Sequence, residues 1–291
     1  MDQDFSVGVE EARTLKVPDS FTQIGTITKY EIMNYFRARR FFVLLALGII
    51  ISVLLTFLVG YYRPYSFLQS SLTFYTQWWG GSITFVIILS AIFFGGDSIS
   101  SEFQNKTGYY LVSRPVRRSS IYIGKWIASF IASLVILFVF LGIAIGNGLY
   151  YFGADVPYQL WQSVLLSILY MASVLSFAFL WSSLFKTSVI SVLITIITLL
   201  VVFPLFDSLL PALVGVEPWF SLTYGAEVIT AVMALTYPVH EIHSSTPIGN
   251  GHFINLTSFT PYLWEGIVIM FLYFLVSAIL GLFVFEKREF I

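Results

Sequence analysis

Six apolar runs, 41–62, 78–96, 126–152, 161–185, 187–206 and 266–285, recur along this chain, and none holds an Asp, Glu, Lys, Arg or His. Each is near the ~20 residues that an α-helix needs to cross ~30 Å of hydrocarbon. Inside hydrocarbon the backbone must satisfy its own hydrogen bonds, so such runs fold as helices. Tyr61, Tyr62, Trp78, Trp79, Trp126, Tyr150, Tyr151 and Trp161 stand at their ends, where an interfacial aromatic belt belongs. Only 11% of the residues are charged, against about 25% in soluble domains, and the mean hydropathy is +0.85. The expected fold class is all-α: a polytopic membrane protein with six transmembrane helices.

Orientation follows from Lys and Arg, because the loops that stay in the cytoplasm are the basic ones. Arg13, Lys16, Lys29, Arg37, Arg39 and Arg40 precede the first run. Lys106, Arg114, Arg117, Arg118 and Lys125 lie between the second and third. Lys186 lies between the fourth and fifth, and Lys287 and Arg288 follow the sixth. Fourteen of the fifteen basic residues thus fall on one side, and Arg63 alone falls on the other. Both termini are expected in the cytoplasm of a multi-pass protein of the cell membrane. Residues 1–19 open with Asp2, Asp4, Glu10 and Glu11 and read as a tail, not a signal peptide.

The stretch 97–125 becomes a 29-residue cytoplasmic loop, with five basic residues against Asp97 and Glu102. Attraction to anionic headgroups would explain its charge. It would not explain Ile99, Phe103, Tyr109, Tyr110, Leu111 and Val112. A short amphipathic helix over about 98–105 would separate Phe103 from Glu102. Arg114-Pro115 reads as a turn, because Pro115 disfavours helix at Arg114. A second short helix would lead into Lys125 and the third run. The residues alone leave open whether the loop docks a partner or lies on lipid. In the docking reading, Glu102 and Phe103 form a surface that can be changed without cost to folding.

Several chemistries are disfavoured. Ion-coupled carriers and pumps keep ionisable groups inside the bundle, and these runs have none, although some sodium sites use carbonyls and hydroxyls instead. No G-x-x-x-x-G-K-[ST] phosphate loop and no G-x-S-x-G elbow is present, so no catalytic residue is assigned and energy for uphill transport must come from a partner. There is no cysteine, which excludes thiolate metal sites and cysteine nucleophiles. "HEIH" at 240–243 falls one residue short of the H-E-x-x-H zinc motif. His240 and His243, with Glu241 or His252, remain a weak metal candidate beside the reading of unliganded loop histidines. Asn255-Leu256-Thr257 fits a glycosylation tripeptide. Nothing points to nucleic acid.

Residues 207–262 are expected outside, as short helices that dip into the outer leaflet, because Pro211, Glu217, Pro218 and Glu227 interrupt any further span. Ser188, Ser191, Thr195 and Thr198 are spaced 3, 4 and 3 and share one helix face. Small hydroxylated residues let membrane helices approach closely, and they can also line a translocation path. Gly142 and Gly146 make a small-xxx-small pair and read as packing.

Two stretches carry a family resemblance. "KYEIMNYFRARRFFVLL" resembles the amphipathic connector helix that precedes the first span in membrane subunits of ATP-binding-cassette exporters, in the type-two permease family. "ISSEFQNKTGYYLVSRPVRRSSIYIGKW" resembles that family's cytoplasmic signature, at Ser100, Glu102, Thr107, Leu111, Arg114, Pro115 and Lys125. It departs at Lys106, where Gly is frequent, and at the Arg117-Arg118 pair. "EPWFSLTYGAEVI" resembles the external re-entrant segment after span five. The likeness covers about 20–291. It implies a permease domain without catalysis, whose loop 97–125 is an ATPase-coupling element with Ser100, Glu102, Phe103, Thr107, Arg114, Pro115 and Lys125 as its residues. It implies a separate nucleotide-binding ATPase subunit in two copies, which binds ATP and Mg. It also implies a second permease copy or paralogue, with spans two and five at the dimer seam and Ser188, Ser191, Thr195 and Thr198 along the path. The cargo would be an amphipathic or hydrophobic solute. A non-transporting partner of such an ATPase, with a sensor or immunity role, would present the same docking surface.

Overall fold

The computed structural model describes residues 19–105, 117–248 and 252–288. Helix α1 (Ser20–Arg37) is separated by Ala38 from the first span, α2 (Arg39–Tyr62). A short α3 (Tyr65–Leu68) leads to the second span, Ser71–Gln104. That span joins α4 (Ser71–Tyr75), a π-helical stretch (Thr76–Gly80), α5 (Gly81–Gly95) and α6 (Ser100–Gln104). The third and fourth spans are α7 (Arg118–Phe152) and α8 (Tyr158–Leu184). The fifth, Ser188–Val214, runs through α9 (Ser188–Ile197), a second π-helical stretch (Thr198–Val202) and α10 (Phe203–Val214). Two short helices, α11 (Leu222–Ala226) and α12 (Val228–Ala231), follow. An antiparallel hairpin of β1 (Glu241–Ile248) and β2 (His252–Phe259) comes next, and α13 (Leu263–Lys287) is the sixth span.

The six helices are long and apolar enough to cross a membrane, as the apolar runs require. They extend past those runs. α7 begins at Arg118, so Lys125 stands about two turns inside a continuous helix instead of opening it. The fifth helix passes Pro204 and Pro211 and ends at Val214, not at 206. Its π-helical stretch lies just ahead of Pro204, and such local widening re-satisfies backbone groups that a proline frees. The hairpin was not expected. The sequence between the strands is Gly249-Asn250-Gly251, and the flanking stretches are rich in Ile, Thr and Phe, a composition that favours a hairpin over helix.

The fourth span sits at the centre. Ser163, Ser167, Ser173, Ser176, Ser182 and Ser183 on α8 are all fully buried. Small side chains there let neighbours close in, and several hydroxyls bond across the contact. Ser173 Oγ donates to Met270 O at 2.6 Å, Trp126 Nε1 donates to Ser176 Oγ at 3.0 Å, and Trp79 Nε1 donates to Ser163 Oγ at 3.0 Å. Spans one, five and six stand at the outside and expose Phe57, Leu193 and Ile279, as lipid contact requires. The bundle has a basic end, with α1, α6 and the termini of α7, α8 and α13. Its hairpin end holds α11, α12 and the strands.

Candidate functional site

At the basic end α1 lies along the start of α7. Ile24, Ile27, Thr28, Glu31 and Tyr35 fall on one helical face and are half-buried. The approach is close because α7 offers Gly124. A Cβ there would stand 2.8 Å from Ile27 Cγ2 and 2.9 Å from Ile27 Cβ. Thr28 Oγ1 donates to Gly124 O at 3.2 Å, and Arg117 N donates to Gln23 Oε1 at 3.1 Å. Tyr35 closes the far end of the contact, with its hydroxyl 2.8 Å from Ser129 Oγ.

This seating brings three charges together. Lys125 Nζ lies 2.7 Å from Glu31 Oε1 and 2.8 Å from Glu102 Oε1. The lysine side chain is 8% exposed and the carboxylates 20% and 16%. One ammonium thus ties α1, α6 and α7 to a single point, largely out of water. A buried cation is tolerable only when paired in this way.

Helix α6 is held from three other sides. Ile99 N and Ser100 N both donate to Ser182 Oγ on α8, at 2.9 and 3.0 Å. Gln104 Oε1 accepts from Ser188 N at 2.9 Å and so caps the start of α9. Phe103 meets the ring of Phe285 edge-on at 6.2 Å, and the Arg288 guanidinium lies over the Phe103 ring at 4.6 Å. Arg40, at the head of α2, pairs with Asp97 in the turn before α6. α6, the end of span two, is thus bonded to α1 and α2 and to spans three, four, five and six.

Of the residues singled out in the sequence, Ser100, Glu102, Phe103 and Lys125 converge here. Thr107, Leu111, Arg114 and Pro115 lie outside the described residues. Glu102 and Phe103 do not form a surface free of folding cost: both are half-buried and engaged within the bundle. Glu31, Ser182, Gln104 and Arg288 carry no motif, and the sequence reading missed them. The first lies in the quoted connector stretch, where a carboxylate on the face shared with Ile27 and Tyr35 was the available signal.

Ser191 and Thr195 on the fifth span are fully buried within the protomer, and Ser188 and Thr198 are half-buried. Ser191 Oγ donates to Gly96 O at 2.5 Å, while Thr195 and Thr198 bond back to Ser191 O and Ile194 O at 2.8 Å each. The face that span five leaves open is the apolar one of Val189, Leu193, Ile197 and Val201. Beside it a groove of about 450 Å³ opens between spans two and five toward the hairpin end. Thr84, Phe85, Leu199, Asp207, Glu227 and Thr230 line it. Asp207 Oδ2 accepts from Thr223 Oγ1. Glu227 is open to the groove, yet the surrounding protein and, secondarily, the charge of Asp207 push its carboxyl up to about 7.

His240 and His243 do not share one site, and the side chain of His252 lies outside the described residues. His243 is exposed and pairs with Glu241 and Thr257. His240 instead faces Glu217 and Glu265.

A family model described as ABC-2 family transporter protein matches residues 25–290, which takes in the basic-end node, the groove and all six spans. No curated protein matches the chain.

Proposed function

The chain belongs to the ABC-2 transporter family, and we propose that it is the permease subunit of an ATP-binding-cassette exporter. In this reading the basic end is cytoplasmic, with both termini, in the cell membrane. A separate nucleotide-binding subunit, in two copies, docks there and holds ATP and Mg. The observation that carries the reading is the Lys125 node with its bonds through α6. A helix that ends span two and is bonded to α1 and to spans three, four, five and six would pass on a push at the surface as motion of the bundle. Conformational gating needs such a rigid element with two arrangements. Ser100, Glu102, Phe103 and Lys125 would act as coupling residues beneath the docking surface, Thr107, Arg114 and Pro115 would belong to the same coupling element, and α1 would be the connector helix.

Two permease copies, or one copy and a paralogue, would meet along spans two and five. The hydroxyls of Ser191, Thr195 and Thr198 are used within the protomer, so they would serve packing beneath the seam. The path would run on the outward side, past Phe85 and Leu199 into the groove at Asp207 and Glu227. That mix of apolar wall and carboxylate suits an amphipathic solute. α11 and α12 would be the re-entrant helices that cover its outer end. The groove favours transport over a non-transporting role, which would need only the docking surface.

The test is copurification with a co-expressed candidate nucleotide-binding subunit, followed by ATP hydrolysis in lipid nanodiscs. A complex with two copies of each chain, whose hydrolysis changes when the Lys125 node is neutralised, supports the reading. A chain that purifies alone and leaves the ATPase unaltered contradicts it.

A further inference from the structure

We propose that Glu217, His240 and Glu265 form a zinc site at the hairpin end, independent of the transport role. The three residues come from separate elements: the connection after α10, the residue before β1, and the first turn of α13. One ligand atom from each lies within 4.8 Å of the others. His240 Nε2 is 3.7 Å from Glu217 Oε2. Ligand atoms around tetrahedral zinc, with bonds of about 2.0–2.2 Å, stand roughly 3.4 Å apart. The His240–Glu217 edge is within a few tenths of an ångström of that, and Glu265 closes by side-chain rotation.

The surroundings prepare each ligand. His240 Nδ1 lies 2.8 Å from Thr260 O. A carbonyl only accepts, so Nδ1 is a donor here, and Nε2 is the ring atom directed at the carboxylates. This is the outer bond that metal-bound histidines typically make. Stacking on Tyr262 at 4.2 Å fixes the ring plane. Glu217 Oε1 accepts from the Tyr224 hydroxyl at 2.5 Å, which leaves Oε2 for the ion. Glu265 Oε2 accepts from Tyr262 N at 3.2 Å. A neutral imidazole and two carboxylates balance a divalent charge. Imidazole selects zinc and its neighbours over calcium or magnesium. His240 and Glu217 are 22% and 24% exposed, so an ion can enter from solvent, and a fourth position stays open to water. The ion would pin the base of the hairpin to the start of the sixth span.

The rival occupant of Nε2 is a proton, which would leave a plain ion pair. Full-length chain with a non-histidine tag, purified in detergent and stripped with EDTA, is titrated with Zn²⁺ alone at pH 7.5. The expected result is one zinc per chain and a higher melting temperature on zinc addition. His240→Ala and Glu265→Gln abolish both, and His243→Ala keeps both. Tyr224→Phe retains every ligand and should weaken zinc binding about tenfold, the scale of lost outer-shell bonds; it decides the matter if His240→Ala misfolds. No retained zinc, or one zinc that survives with unchanged affinity in Glu265→Gln and Tyr224→Phe, overturns the proposal.

Discussion

Replacing Lys125 by Met should destabilise the chain, and neutralising its two partners as well should restore it. Lys125→Met leaves Glu31 and Glu102 facing each other without a cation, in a place where each is 16–20% exposed. Breaking a buried ion pair from one side costs about 3–5 kcal/mol, because the remaining charge is stranded. The triple variant Lys125→Met, Glu31→Gln, Glu102→Gln strands no charge. Exchanging a whole buried ion cluster for neutral residues is often neutral or stabilising. It should therefore recover most of the loss, although two further residues have changed. Glu102→Lys sets a second ammonium against Lys125 and should not fold. Thermal and denaturant unfolding in nanodiscs reads the stabilities. A triple variant no more stable than Lys125→Met would refute the node as an electrostatic unit. The folded triple variant then isolates function, since it should bind the ATPase and fail to couple its hydrolysis to the spans.

Gly124→Ala should lower stability by about 1–3 kcal/mol, the usual cost of overpacking, because the new Cβ meets Ile27; an unchanged melting temperature would mean that α1 is not seated there. Ser182→Ala removes the shared acceptor of Ile99 N and Ser100 N, at about 1–3 kcal/mol for each orphaned buried donor, and hydrogen exchange at α6 should rise. Burial and, secondarily, the charge of Asp207 push the Glu227 carboxyl up to about 7, above the ordinary glutamate value of about 4.5, so the folded state binds the extra proton. Stability should fall as pH rises from about 4.5 to about 7, and Glu227→Gln should flatten that slope in melting curves taken across the range.

The spans were legible because a bilayer permits one local solution for a long chargeless run, and the Lys and Arg asymmetry needs only counting. Span ends were less so. A short helix was expected to lead into Lys125 ahead of the third run, whereas α7 runs unbroken from Arg118, with Lys125 paired to Glu31 and Glu102 in the fold. Glu31 lies 94 residues from Lys125, and no local pattern links them. The same limit hid Ser182, whose hydroxyl has the appearance of ordinary helix packing until α6 is laid against it. The serine and threonine face of span five was visible as a stripe. Its orientation was not, because a period shows which residues share a face and not what that face meets. The hairpin was missed for another reason: the apolar, proline-broken stretch before it set the expectation of short helices for the whole segment. Its Ile, Thr and Phe content and the Gly-Asn-Gly sequence between them pointed the other way.

In the proposed coupling, the ATPase docks at the basic end against α6. The chain has no cysteine, so single cysteines at Asn105, exposed just after α6, and at Leu235, 87% exposed at the hairpin end, give unambiguous probes. With a thiol-directed photo-crosslinker in membranes that contain the co-expressed nucleotide-binding subunit, Asn105→Cys should yield a crosslinked band of permease plus ATPase that changes in intensity on ATP addition. Leu235→Cys should yield none. A crosslink from Leu235→Cys and none from Asn105→Cys would contradict both the docking site and the orientation on which it depends.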